Sequence, residues 1–378
     1  MPVCYQINLQ KTFGGGEVYT RFFSEALIAL GWEVELFVAK DAPFWRQLNM
    51  QGVSLREVAN EADILNALPA SRSLIVTHTA ASLDFAATLA KRHRLTGFVH
   101  MPLYERSPAG FAHYERLFAV SQHVMDSAQK KGFANVYPEP MYGIADLAMR
   151  PGGAPQAPGA LRAASPYDWD RRKLRDRLLG VLAPLVDVFR PRPAFCRRPG
   201  LTVGIVSRLT PIKQFPRMFS ILAPILAKHP TVNLEIFGSG GYASVRDLRR
   251  ALAPARRQVR FWGQQSDVAA VYRQLDYVLS GLPEKEALGL NLIEAQSCGT
   301  PVLAVNAPPF TETVVDGETG WLFEDPRADN GLAFDRLLDR LVHAAARPEP
   351  RRAITHLERF SCRAFGERVA LALAQVRG

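Results

Sequence analysis

The sequence predicts an α/β chain built from two doubly wound parallel sheets. Three observations carry this prediction. Short apolar runs alternate with amphipathic helical stretches in both halves of the chain. The alternation breaks once, near residue 145, and restarts at Leu201. The length of 378 residues exceeds what one hydrophobic core usually organises.

In the first half, Val3 to Leu9 reads as a strand and Glu17 to Leu30 as a helix. Val18, Phe22, Ala26 and Leu30 lie on one stripe of that helix, and Gly31 stands past its end. Val34 to Ala39 is the next strand, followed by Leu74 to His78, Gly97 to His100 and Leu117 to Ser121. Uninterrupted apolar strands between helices imply a parallel sheet covered on both faces. These elements bound a first domain at 1–148. Arg150 to Gly159 is rich in Pro and Gly and reads as a connection. Asp168 to Val188 reads as an amphipathic helix, with Leu174, Leu178 and Leu182 on one side and Arg and Lys opposite. Phe189 to Gly200 is again rich in Pro and Arg, so 149–199 is expected to be a basic linker. Five strands then follow, at Thr202–Val206, Asn233–Phe237, Gln258–Phe261, Tyr277–Ser280 and Val302–Val305. They bound a second domain at 200–360. The amphipathic Ala364 to Val376 closes the chain, and no internal sequence repeat is evident.

Composition sets outer limits. Hydrophobic content of 48% and charged content of 22% suit a globular enzyme. No apolar run approaches the ~18 to 20 residues of a transmembrane helix, and the N-terminus lacks a secretory pattern. Cys4, Cys196, Cys298 and Cys362 are scattered, which suggests neither a zinc site nor a disulfide framework. A reducing cytoplasm fits. The net charge of +10 lies wholly after residue 150, because 1–150 carry 14 basic and 14 acidic residues. Residues 151–200 alone hold 10 basic and 4 acidic residues. Such a segment suits an anionic membrane surface or substrate. No nucleic-acid-binding motif accompanies it, so no nucleic acid is expected as a partner.

The most informative stretch is Glu286-Ala-Leu-Gly-Leu-Asn-Leu-Ile-Glu294. It runs from a strand into a helix, with Gly299 as the stop and Pro301 to Val305 as the next strand. Strand, loop, helix and strand form a βαβ unit, whose ligands sit at strand carboxyl ends and helix N-termini. Glu286 lies at that mouth, and Glu294 lies far enough along the helix to reach another part of the same ligand. Gly14, Gly15 and Gly16 stand between a strand and a helix in the first half. There they permit close approach of an anion to free N–H groups. A Gly-x-Gly-x2-Gly nicotinamide fingerprint is absent. Arg208 and Lys213 follow the first strand of the second half, as two cations suited to a diphosphate.

These motifs resemble retaining glycosyltransferases of family 4, which adopt the GT-B fold of two Rossmann-like domains facing a cleft. The Glu-x7-Glu pair is that family's signature. Gly204-Ile-Val-Ser-Arg208-Leu-Thr-Pro-Ile-Lys213 resembles its Gly-Arg-Leu-x3-Lys segment. Phe237-Gly-Ser-Gly240, Phe261-Trp-Gly263, Thr311 to Gly320 and the early Gly14-Gly15-Gly16 recur in the family's order. The resemblance implies that Glu286 faces the donor sugar and that Glu294 hydrogen-bonds the nucleotide ribose. It implies that the backbone of Leu288, Gly289 and Leu290, with Gly238, Gly240 and Gly263, also holds the donor. His100 matches a family histidine that contacts the donor sugar, with His78 as its rival. A last helix at about 361–378 would cross back to the first domain. Ser207 and Gln214 stand where the family has Gly, Leu288 where it commonly has Phe, and Leu282-Pro283-Glu284 where it has Pro-Ser.

The resemblance implies a retaining enzyme that moves a hexose-type sugar from a UDP- or GDP-sugar to a saccharide or lipid-linked acceptor. No cofactor and no metal are expected, since Arg208 and Lys213 would take the cation's place. Envelope polysaccharide or glycolipid synthesis fits, in the cytoplasm, with 168–198 able to touch the inner face of an anionic membrane. A plain interdomain spacer is the other reading of 168–198. A GT-B sugar-nucleotide epimerase and a non-catalytic binding scaffold are the alternatives for the whole chain.

Overall fold

The computed structural model describes residues 1–11, 14–104, 107–145, 161–168 and 192–377. It divides into two units, Met1–Ile144 with Glu358–Gly378, and Ala145–Leu357. In the first unit six strands form one sheet in the order β3-β2-β1-β4-β5-β6. They are β1 (Val3–Asn8), β2 (Glu33–Ala39), β3 (Val53–Val58), β4 (Leu74–Thr77), β5 (Arg94–Val99) and β6 (Arg116–Ala119). In the second unit the order is β12-β11-β10-β7-β8-β9. Its strands are β7 (Leu201–Val206), β8 (Val232–Phe237), β9 (Val259–Gly263), β10 (Tyr277–Leu279), β11 (Val302–Val305) and β12 (Gly320–Phe323). All pairings between neighbours are parallel. Both sheets thus follow one winding, with the chain reversing direction across the sheet after its third strand.

The edge strands β3 and β12 are additions to the expected set. β3 buries only Val58 fully and exposes Ser54, Arg56 and Glu57. β12 is short and opens on Gly320. β3 lacks the unbroken apolar run by which a central strand is recognised, and β12 offers only three apolar side chains, Trp321 to Phe323, after Gly320.

The helix Gly15–Ala29 follows β1 and buries Tyr19, Phe22, Phe23 and Leu27. This stripe differs from the expected one, since Leu30 is 40% exposed and Val18 and Ala26 are only partly covered. The aromatic residues decide the rotation. Phe23 meets Phe98 of β5 edge-on at 4.9 Å, and Tyr19 meets Phe365 at 5.4 Å. Phe365 belongs to the helix Cys362–Arg377, which lies in the first unit and buries Phe365, Val369, Ala372, Leu373 and Val376. Arg368 of the same helix donates to the carbonyl of Tyr142 at 2.8 Å.

In the second unit the helix Phe215–Leu226 begins with proline in its first turn and buries Phe215, Met218, Phe219, Leu222 and Leu226. The expected linker 149–199 needs correction at its described parts. Leu161 enters the second unit's core, and the ring of Phe195 lies 5.0 Å from that of Trp262. Arg198 grips Glu235 through Nε at 3.0 Å and Nη2 at 2.8 Å, and Arg197 and Arg347 both pair with Asp276. Glu235 is 0% and Asp276 1% exposed. Carboxylates buried to that degree require partners, and the arginines counted as linker charge supply them. The expected helix Asp168–Val188, beyond Asp168 itself, and its leucine stripe lie outside the described residues. Among the described residues no helix is long and apolar enough to cross a membrane.

Candidate functional site

Each sheet offers one position where the strand order reverses, between β1 and β4 and between β7 and β10. The loops leaving those strands diverge there and open a crevice at the carboxyl ends. Most sequence-predicted residues stand at or beside these two positions, whereas Gly238, Gly240 and Gly263 lie further along the second sheet.

In the second unit, Arg208 follows β7 and is exposed. A single tight turn, Pro211–Lys213, then delivers Lys213. The loop after β10 lies against it, with Leu282 N–H donating to the Lys213 carbonyl at 3.2 Å. This contact brings Lys213 Nζ into an ion pair with Glu286 Oε2. The two side chains are only 18% and 13% exposed, so the pair is shielded from bulk water. Gly289 caps the next helix, Leu290–Ser297, at φ 82°. That conformation disfavours a side chain, and a Cβ there would come 3.1 Å from the Phe310 ring. Asn291 ties the helix to β7 by donating to the Val206 carbonyl at 3.2 Å. Leu288 is buried, and the loop backbone through Leu290 forms the head of the helix.

Glu294 lies further along this helix and is 4% exposed. Tyr272 donates its hydroxyl to Glu294 Oε2 at 3.0 Å, and Thr300 donates to the Tyr272 carbonyl at 2.7 Å. A buried carboxylate oxygen is thereby fixed in place.

Beside the Lys213–Glu286 pair stands a second polar group. Gln214 adopts φ 52°, the left-handed conformation that explains glycine at this place in the resembled family. Its side chain donates to Glu284 Oε2 at 2.7 Å. Arg327 joins Glu284 to Asp325. Two departures from the family pattern, Gln214 and Glu284, are therefore partners of each other. Burial alone would raise the Glu284 carboxyl, but its hydrogen bonds to Arg327 and Gln214 hold it below the usual range. The hydrogen bond from Arg327 likewise lowers Asp325.

Gly238, Gly240 and Gly263 sit at the ends of β8 and β9, where the chain approaches itself closely. Gly240 N–H donates to the Pro166 carbonyl at 3.0 Å, and Asp168 N–H donates to the Gly240 carbonyl at 2.8 Å. A Cβ on Gly240 would fall 2.2 Å from the Leu209 carbonyl oxygen. Gly238 N–H donates to the Gly263 carbonyl at 2.8 Å, and Ala164 N–H to the Trp262 carbonyl at 2.8 Å. The short segment 161–168 thus lies along the ends of these strands and occupies both backbone groups of Gly240.

In the first unit, Gly14, Gly15 and Gly16 lead from β1 into the helix Gly15–Ala29. A Cβ on Gly15 or Gly16 would meet nothing within 4 Å, which leaves room for a ligand at the helix head. His100 follows β5, and its Nε2 lies 3.4 Å from Nδ1 of His78, which follows β4. Burial lowers the His100 pKa to about 4. Burial, and then the neighbouring His100, push that of His78 well below the ordinary value. Both rings are neutral in ordinary buffers.

The sequence left several partners unnamed. Tyr272, Arg327 and Gln6 carry no motif, and Asn291 stands inside one with no role read for it. Glu284 was visible only as a departure from the Pro-Ser of the resembled family.

Known proteins resemble this chain in sequence and in fold. Residues 198–354 match the family model described as glycosyl transferases group 1. The chain is 30% identical over 203 residues to the D-inositol 3-phosphate glycosyltransferase of Rhodococcus opacus (strain B4). That match takes in 48% of this chain and 45% of the relative, so it spans about half of each. The D-inositol 3-phosphate glycosyltransferase of Segniliparus rotundus is 26% identical over 390 residues, 94% of this chain and 83% of that protein. Among solved structures, Anabaena Alr3699/HepE in complex with UDP has a TM-score of 0.72 at 19% identity. That likeness is one of fold, over 99% of this chain and 100% of the other. The stretch that builds the second mouth is thus similar to the glycosyl transferases group 1, and the chain as a whole has a GT-B fold.

Proposed function

We propose that this chain transfers a sugar, with retention of configuration, from a nucleotide-activated donor to a hydroxyl of a saccharide or lipid-linked acceptor. The observation that carries the reading is the shielded Lys213–Glu286 pair at the β7/β10 reversal, with the fixed Glu294 on the helix behind it. A cation and a carboxylate are needed together by a ligand with an anionic diphosphate at one end and hydroxyls at the other. Lys213 and Arg208 meet the diphosphate and offset the charge that grows there as the bond to the sugar breaks. Glu286 accepts from sugar hydroxyls, and Glu294 accepts from the ribose. The N–H groups of Leu288, Gly289 and Leu290 add the helix-head dipole. With two cations on the leaving group no metal is required, and the departing phosphate takes the acceptor's proton.

The donor is a UDP- or GDP-sugar. Relatives named for inositol 3-phosphate put a phosphorylated polyol on the acceptor panel beside glycolipids. Such work belongs in the cytoplasm, and the basic segment 168–198 would bring the enzyme to an anionic inner face.

The test is a thermal-shift panel of UDP- and GDP-sugars in excess chelator. The right donor at ~100 Kd adds roughly 2.7 kcal/mol of stability. Absence of a shift with every nucleotide sugar and with UDP and GDP would refute the reading. Co-sedimentation with anionic and neutral vesicles at low and high salt tests the membrane part.

A further inference from the structure

A file of uncharged polar side chains runs from His100 into the core of the first unit. His100 Nε2 lies 3.4 Å from His78 Nδ1, and His78 Nε2 lies 2.8 Å from Gln6 Oε1. Gln6 Nε2 donates to Ser24 Oγ at 2.9 Å, and Ser24 Oγ donates to the Thr20 carbonyl at 2.8 Å. Gln6 and Ser24 are 0% and His78 4% exposed. Their surroundings are aromatic, with His78 stacked on Phe98 at 5.2 Å and His100 edge-on to Tyr19 at 5.0 Å. Packing alone would be served better by apolar side chains at these positions, because each buried polar group costs stability unless it is paired.

The file has a direction. The one proton of Ser24 goes to the Thr20 carbonyl, so Ser24 accepts from Gln6 and the amide nitrogen faces it. Gln6 then offers its oxygen to His78, which carries its proton on Nε2 and leaves Nδ1 bare. His100 fills that acceptor from Nε2, and its own Nδ1 is left without a proton. We propose that His78, backed by Gln6 and Ser24, is a positioning residue that locks His100 in the Nε2–H tautomer, so that Nδ1 accepts from a hydroxyl of the donor sugar. This rests on the reading of His100 as a sugar contact. Both rings are neutral, so each bond has one donor and one acceptor. An acceptor-only imidazole selects a sugar with a free hydroxyl at that place over its deoxy or O-alkylated analogue.

Long-range proton–nitrogen correlation spectra of the full chain, labelled in histidine nitrogen, read the tautomers without any ligand. The wild type should show Nε2–H on both His78 and His100. Ser24→Ala touches neither ring yet frees the Gln6 amide to turn, so signals of Nδ1–H should appear on both. The same variant should raise KM for the nucleotide sugar about tenfold, the size of one lost hydrogen bond, with nucleoside diphosphate affinity unchanged. Ser24→Thr keeps the hydroxyl and should restore both readouts. Nδ1–H on either ring of the wild type, the pattern of a Gln6 amide turned the other way, overturns the proposal. So do unchanged tautomers in Ser24→Ala. If the tautomers behave as stated but His100→Ala leaves KM for the nucleotide sugar unaltered, the sugar contact fails, and the acceptor role falls with it.

Discussion

The two units wind their strands in one order yet furnish the same topological position with opposite chemistry. At the β1/β4 reversal stand His78 and His100, neutral and backed by an amide and a hydroxyl. At the β7/β10 reversal stand Lys213 and Glu286, with Glu284, Arg327 and Asp325 beside them. The contrast continues beneath the second mouth, where Arg198 holds Glu235 and Arg197 and Arg347 hold Asp276. Winding decides where a ligand can enter, because diverging loops leave a gap at the reversal. It does not decide what enters. A mouth of paired charges suits a ligand with an anionic end, and a file of neutral side chains suits an uncharged polar group.

The charged unit should break hardest. Arg198→Met leaves Glu235 buried with, among the described residues, only the Trp262 indole as a side-chain donor, so the second unit should lose about 3–5 kcal/mol in urea unfolding. A loss well under that would mean that the indole alone satisfies the acid. Next in size, Lys213→Ala removes the cation and strands Glu286, and turnover in excess chelator should fall ~10²-fold or more. Activity abolished by EDTA and restored by magnesium would instead give the charge to a metal. Glu294→Ala should weaken nucleotide binding by ~1.5 to 3 kcal/mol in titration calorimetry, while Glu286→Gln lowers turnover and spares it. Equal, small effects of both would remove the division of roles. Tyr272→Phe removes one hydrogen bond that positions Glu294 and should cost about 1 kcal/mol of the same binding.

The neutral unit answers to pH, and by less. His78 and His100 have folded pKa values below those of the unfolded chain, so the unfolded state takes up protons first as pH falls. Stability should be level above about pH 6.5 and should decline toward about pH 4. One unit below the free value the decline is about 1 kcal/mol per ring. Melts of His100→Gln against wild type would show it, and parallel curves would mean that the ring titrates normally.

Much of this was legible in the chain, for reasons that differ by place. Central strands such as β7, buried along its whole length, announce themselves as apolar runs. The edge β3 does not, since solvent takes one side of it, and β12 offers only three apolar side chains after Gly320. The stripe of the helix Gly15–Ala29 was placed by spacing and shifted by its partners, because Tyr19 and Phe23 have rings to meet. Lys213, Glu286 and Glu294 were found through short motifs that a single loop and helix keep intact. Their companions were hidden by distance along the chain. Tyr272 stands 22 residues from Glu294, Arg327 43 from Glu284, and Gln6 72 from His78. No local pattern links such pairs. Composition failed most plainly at 149–199, where it counts Arg197 and Arg198 as charge without knowing which acids they neutralise.

The segment 161–168 has a consequence for how far this protein is modular. A border drawn by pattern falls near 200, and the family match begins at 198. A fragment excised there would lose Arg197, the Leu161 contact and the residues that satisfy both backbone groups of Gly240. It would enter solution with a half-paired buried acid and an uncovered row of strand ends. The second unit is therefore portable only with its preamble attached. Grafts that exchange such units between related proteins should keep the chain from Leu161 onward, or carry Asp276 and Gly240 into surroundings that no longer answer them.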